Sequence, residues 1–169
     1  MKMDKQQKTI ITVVGILLLL CITATALVYV HKKAQNSFTP PPFDAGAVTG
    51  TPEIQDDSAQ YRTVKIGDEI LFSMCLCPKY EDGEAKLFFA SDKENFAFLR
   101  VLLFDTDGNL VGESGLVKPG DYVEGLALSF TPTSDTTINA KILSYDLKEY
   151  TSMGTSGGEL LLRSGPSVK

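Results

Sequence analysis

The sequence predicts an all-β sandwich of about seven strands, immunoglobulin-like, preceded by one N-terminal transmembrane helix. Three observations carry this reading. Thr9 to Val30 is a run of 22 residues without a charge, which at about 1.5 Å rise per residue reaches roughly 33 Å and spans a hydrocarbon core. From Tyr61 onward, short runs rich in β-branched and aromatic residues alternate with turn signals, spaced roughly ten residues apart as in sandwiches. No second long helical pattern appears.

In chain order, residues 1–8 read as a cytoplasmic tail and 9–30 as the transmembrane helix. The threonines in the span, Thr9, Thr12, Thr23 and Thr25, can return their hydroxyls to their own helix carbonyls, and Tyr29 falls where an interfacial aromatic belt lies. Ala24-Thr25-Ala26 offers a signal-cleavage site as an alternative, but the apolar run continues to Val30 and stops at His31-Lys32-Lys33, like the far end of a span. Three lysines and the amino terminus precede the span and two lysines follow it. That bias sets the N-terminus in the cytoplasm and the remainder outside, a single-pass protein of the cell membrane.

Residues 31–60 read as a linker, with Pro40, Pro41, Pro42 and Pro52 among small and acidic residues. Phe38 and Phe43 are free to dock on the domain or on a partner. The domain is expected over 61–169. Ile70, Phe72, Met74 and Leu76 alternate on the core face of a strand, and Lys86 to Ala90 forms the next. Phe96 to Phe104 is apolar on both faces except Arg100, as for a central strand. Asp105 to Asn109 makes a hairpin turn into Leu110 to Ser114, and Lys118 to Asp121 a second turn. Tyr122, Leu126, Leu128 and Phe130 alternate along one strand and Ile138, Ala140 and Ile142 along another. A short last strand, Leu160 to Leu162, follows the glycine-rich stretch Gly154 to Gly158.

Charge excludes some functions. Lys2, Lys5, Lys8, Lys32 and Lys33 against Asp4 leave residues 1–33 at +4, so residues 34–169 carry −9 of a total of −5. An acidic domain lacks the basic face that a phosphate backbone requires, so no nucleic-acid partner is expected. The one histidine, His31, flanks the apolar run, leaving the domain without an imidazole for a triad or a His-ligated zinc. No enzyme activity, no cofactor, no metal and no small-molecule substrate are predicted.

The groups able to carry chemistry are few. Cys75-Leu76-Cys77 is the only thiol pair outside the span; two residues apart in a regular strand, their Cα atoms stand nearly 7 Å apart, which strains a disulfide. Packed thiols, a disulfide formed at a bulge before Pro78, and a soft-metal site with Met74 all stay open. Asp105, Asp107 and Asn109 repeat oxygens as in a calcium loop, but Leu110 and Leu116 stand where that loop needs glycine and glutamate. Asp68-Glu69 and Glu81 to Glu84 are adjacent acids in turns. Tyr80, Tyr122, Tyr145 and Tyr150 form the candidate binding surface.

The lysine-flanked anchor, Pro40 to Asp44, Leu102 to Asn109 and Gly115 to Val123 resemble a group of small single-pass surface proteins of Gram-positive gut bacteria. The strand, Asp-x-Asp-Gly and Pro-Gly order of Phe96 to Phe130 is similar to FxLYD and CARDB extracellular sandwich modules. That resemblance implies a binding or spacing domain and supplies no catalytic residues. The expectation is a tethered, non-enzymatic module that binds another envelope or secreted protein. Two alternatives are an accessory subunit of a secretion or conjugation assembly, with Gly15, Ala24 and Ala26 at a helix interface, and a thiol redox or copper-handling protein built on Cys75 and Cys77.

Overall fold

The computed structural model describes Asp4 and residues 14–16, 18–23, 25, 39–67 and 69–164. The chain divides into two units, Met1–Pro40 and Pro41–Lys169. In the first, residues 14–16, 18–23 and 25 are helical. Thr23 Oγ1 donates to the Leu19 and Leu20 carbonyls and Thr25 Oγ1 to those of Cys21 and Ile22, so these hydroxyls are satisfied within the helix. Among the described residues no helix is long and apolar enough to cross a membrane. The rest of the expected span 9–30, with Thr9, Thr12 and Tyr29, lies outside the described residues, as do Phe38 and Asp68.

The second unit is mostly β and its sheets are antiparallel. Twelve strands occur among the described residues where about seven were expected: β1 Val48–Thr49, β2 Tyr61–Ile66, β3 Ile70–Cys75, β4 Lys79–Glu81, β5 Glu84–Lys86, β6 Phe89–Ser91, β7 Ala97–Phe104, β8 Leu110–Glu113, β9 Asp121–Val123, β10 Leu126–Ala127, β11 Thr136–Asp146 and β12 Ser152–Leu162. They form a five-stranded sheet in the order β1-β9-β6-β3-β2, a three-stranded sheet β10-β5-β4 and a four-stranded sheet β12-β11-β7-β8.

The excess has local causes. Phe88 takes a positive φ of 49°, a conformation that costs a bulky residue energy and ends a strand. It breaks the expected strand Lys86 to Ala90 into β5 and β6 and carries the chain from one sheet to another. Asp82 and Gly83, at φ 52° and 87°, suit the two-residue hairpin between β4 and β5. The expected strand through Tyr122 and Phe130 is likewise split, into β9 and β10.

Alternation sets the core. Along β7, Ala97, Leu99, Val101 and Leu103 are wholly buried while Phe98, Arg100, Leu102 and Phe104 are half-buried on the outer face. Ile138, Ala140 and Ile142 of β11 and Leu160 and Leu162 of β12 join them from the neighbouring strands, Phe72 and Phe89 from the five-stranded sheet, and Leu87 from the connection between β5 and β6. Each such Val, Leu, Ile or Phe side chain contributes about 1.5–3 kcal/mol when taken out of water. The Phe72 and Phe89 rings pack at 5.8 Å.

The expected linker 31–60 is corrected by the structure, because the compact unit begins at Pro41. Leu116 N donates to the Pro42 carbonyl at 2.9 Å and Asp44 N to the Leu116 carbonyl at 3.0 Å. Val48 and Thr49 then pair with Tyr122 and Asp121, and Pro52 is buried. These residues lack apolar periodicity because only isolated side chains and the backbone hold them to the domain. A 3-10 turn at Asp57–Ala59, capped by Asp56, leads into β2.

Candidate functional site

Two places gather chemically distinctive side chains. The first is a cleft of about 470 Å³ beneath the Glu53–Asp56 segment, between that segment and the β4–β5 hairpin. Arg163, just past β12, lines it. Arg163 Nη2 meets Asp56 Oδ2 at 2.5 Å, Nη1 donates to Ser58 Oγ, and Nε donates to the Cys77 carbonyl at 2.9 Å. One guanidinium therefore ties the 3-10 turn, the β3–β4 connection and the end of β12 together, using its planar fork on three partners. Hydrogen bonding from Arg163 and then from Ser58 lowers the Asp56 carboxyl to about 2.

The cleft's other cations are also engaged. Lys79 lies 2.9 Å from Glu81, and Lys86 lies 2.9 Å from Glu84 and 3.4 Å from Glu124. Glu81 and Glu84 thus act as ion-pair partners of the hairpin, and the hydrogen bond from Lys79 holds the Glu81 carboxyl below its ordinary range. Among the described residues no group of three or more His, Cys, Asp or Glu side chains is arranged to hold a metal.

Both thiols of the Cys75 and Cys77 pair are free. Cys75 N donates to the Leu87 carbonyl and Cys77 N to that of Ala59, at 2.8 and 2.9 Å. Cys75 is fully buried, and burial pushes its thiol up to about 11. A thiol so protonated is a poor nucleophile and a poor soft-metal ligand at neutral pH.

The second place is an aromatic group on the outer side of β7. Phe43 meets Phe98 edge-on at 5.0 Å, and Phe98 stacks on Tyr150 at 5.5 Å and 26°. The Lys118 ammonium stands 4.9 Å from the Phe43 ring centre, within cation–π range. Phe43 is 42 % exposed. Tyr150, at φ 55°, is turned onto Phe98 by the β11–β12 turn, in which Asp146 Oδ1 accepts the N–H groups of Lys148 and Glu149.

The four sequence-predicted tyrosines do not converge. Tyr80 is on the three-stranded sheet with its hydroxyl 3.1 Å from Thr131 Oγ1, and Tyr122 pairs with Val48 and Ala90 in the five-stranded sheet. Tyr145 sits opposite Phe98 on β11 and is nearly buried. Only Tyr150, half-buried, belongs to the aromatic group on β7, whose other members come from the proline-rich segment and from a strand read as core.

The Asp105 loop is spent on its own turn: Asp105 Oδ1 accepts the N–H groups of Asp107 and Asn109 at 3.0 and 2.8 Å, and Oδ2 accepts Asn109 Nδ2 at 2.9 Å. Asn95 is a structural residue without a sequence signal. Buried, it donates Nδ2 to the Leu71 carbonyl and to Ser91 Oγ and accepts Leu71 N–H at 2.8 Å, standing in for a strand beside β3. In comparisons with protein families, curated proteins and solved structures, nothing matches the chain.

Proposed function

We propose that the protein is a membrane-tethered, non-enzymatic binding module, an immunoglobulin-like sandwich displayed outside the cell that engages another envelope or secreted protein. The observation that carries this reading is the aromatic group Phe43–Phe98–Tyr150 with Lys118 beside it, in which Phe43 is exposed and Phe98 and Tyr150 are half-buried. An exposed ring backed by half-buried ones and flanked by a cation suits protein contacts, where large rigid rings supply area at little entropic cost. The uncharged run Thr9 to Val30 between lysines supports the tether. The full burial of Cys75 argues against redox or copper chemistry at that thiol.

The test is to label intact cells with a membrane-impermeant amine reagent, crosslink, and recover the protein with what it holds. Labelling from outside and one dominant envelope partner, lost in Phe43→Ser and Tyr150→Ser variants, is the expected result. A domain protected from the reagent, or a partner retained by both variants, overturns it.

A further inference from the structure

The β4–β5 hairpin carries its charges in two bands. Lys79 stands directly opposite Lys86 and Glu81 directly opposite Glu84, and a parallel bridge sets Arg163 beside Lys79 on its other side. Residues opposite one another share a face, so the three cations lie side by side, and all three line the 470 Å³ cleft. The two carboxylates form a second band, two residues away on each strand. Like charges placed directly opposite destabilise an antiparallel pair. Exchanging Lys79 with Glu81 would set unlike charges across both pairs, yet the chain keeps the costlier order.

The members of the bands differ in how fully they are engaged. Arg163 is held by Asp56, Ser58 and the Cys77 carbonyl, and Lys86 by Glu84 and Glu124. Among the described residues Lys79, at the middle of the cation row, pairs with Glu81 alone, and Glu81 with Lys79 alone. Their side chains are 37 % and 49 % exposed, and an ion pair so exposed is worth little. Each can therefore take a second partner at small cost. On the opposite side of the cleft, the main-chain N–H and C=O groups of Glu53, Ile54 and Gln55 hydrogen-bond to nothing among the described residues. Phe88 lines the cleft as well, half-buried and held at φ 49°, a strained conformation of the sort that collects at ligand clamps.

We propose that this cleft binds a small zwitterion of dipeptide length, with its carboxylate on Lys79 in the cation row and its ammonium on Glu81. Side chains two residues apart on a strand stand about 6.6 Å apart, and two extended residues of a ligand span about 7 Å. A single amino acid spans half of that. A ligand of one charge would draw Lys79 from Glu81 or Glu81 from Lys79, whereas a zwitterion engages both. The ligand's own peptide group then meets the open N–H and C=O groups of the 53–55 segment, and its side chains meet Phe88. The site shares no residue with the Phe43–Phe98–Tyr150 group, so the proposal goes beyond the binding-module reading and does not depend on it.

Equilibrium dialysis of radiolabelled L-alanyl-L-alanine against the full chain in non-ionic detergent tests it. Half-saturation is expected below about 1 mM. N-acetyl-alanyl-alanine lacks the ammonium and alanyl-alanine amide lacks the carboxylate, and each is expected to bind about tenfold or more weakly. The double variant Lys79→Glu with Glu81→Lys keeps the net charge and the ion pair but reverses the bands on β4. It is expected to lose the dipeptide while its Tm holds or rises, because unlike charges then stand opposite across the hairpin. If the exchange lowers Tm, the single variant Glu81→Gln decides. A wild type not half-saturated by about 1 mM, a blocked peptide bound as well as its parent, or a deciding variant that still holds the dipeptide overturns the proposal.

Discussion

Asp44 Oδ2 accepts the N–H of Gly115 at 2.7 Å across 71 residues of sequence, and Gly115 has no room for a side chain, since a Cβ there would lie 2.4 Å from Asp44 N. The proline-rich segment is thereby held to the β8–β9 connection by a carboxylate and by main-chain bonds on either side of Phe43. Gly115→Ala is expected to force the two backbones apart, costing about 1–3 kcal/mol as overpacking does. It should also open residues 41–50 to protease. Urea denaturation with limited proteolysis checks both, and a variant with unchanged midpoint and cleavage pattern would show that the clamp contributes nothing.

The periodic part of this architecture was legible from residue order, and the irregular part was not. β7 and β11 show their inward faces directly, as Leu99, Val101 and Leu103 and as Ile138 and Ile142, because a long strand packed on one side repeats every second residue. β12 was hidden. Gly154 to Gly158 resembles a turn, yet it is strand: it is held by β11, and at Gly157 a Cβ would meet the Ala140 carbonyl at 2.7 Å. Glycine there answers a close backbone approach, which no local pattern announces. The aromatic group was half legible: Phe43 and Tyr150 were singled out separately, but their meeting on Phe98 depends on contacts across more than 50 residues of chain. The Arg163 hub was invisible for the same reason.

Asn95 supplies what a neighbouring strand would supply to Leu71. Asn95→Ala is expected to leave the Leu71 N–H without a partner inside the fold, while its C=O keeps only the Asp92 N–H at 3.2 Å, at about 1–3 kcal/mol for the polar group left unpaired. Thermal or urea unfolding reads the loss. Amide exchange at Leu71 should accelerate in the variant while β11 amides keep their protection; equal protection at Leu71 would remove Asn95 from this role.

The thiols should separate by burial. At neutral pH a maleimide reagent is expected to modify partly exposed Cys77 and to spare Cys75 in the folded domain. The buried thiol is raised from its ordinary 9.0 to about 11, so the folded state holds its proton more tightly than the unfolded chain does. Its contribution to stability is therefore complete below about pH 9 and is lost as pH rises through about 11. Cys75→Ala should flatten that alkaline limb. Rapid labelling of Cys75 in the folded protein would contradict the burial argument.

Asp56 sets the opposite limb. Its carboxyl, held at about 2 by Arg163 and Ser58 against an ordinary 3.8, is bound as the anion more favourably in the folded state. The stabilisation is present in full above the ordinary value and disappears as pH falls through about 2. Because the carboxylate is solvent-exposed, ionic screening reduces its worth, and salt should diminish it further. Asp56→Asn is expected to lower Tm at pH about 6 and to converge on wild type near pH 2, with a shallower acid decline between. Arg163→Gln should reproduce that shallow decline while costing more at every pH, since it also withdraws the donor to the Cys77 carbonyl. Melting curves of the three proteins at several pH values and two salt concentrations measure this. Parallel acid declines for wild type and Asp56→Asn would show that the pair does not couple the 3-10 turn to the end of β12.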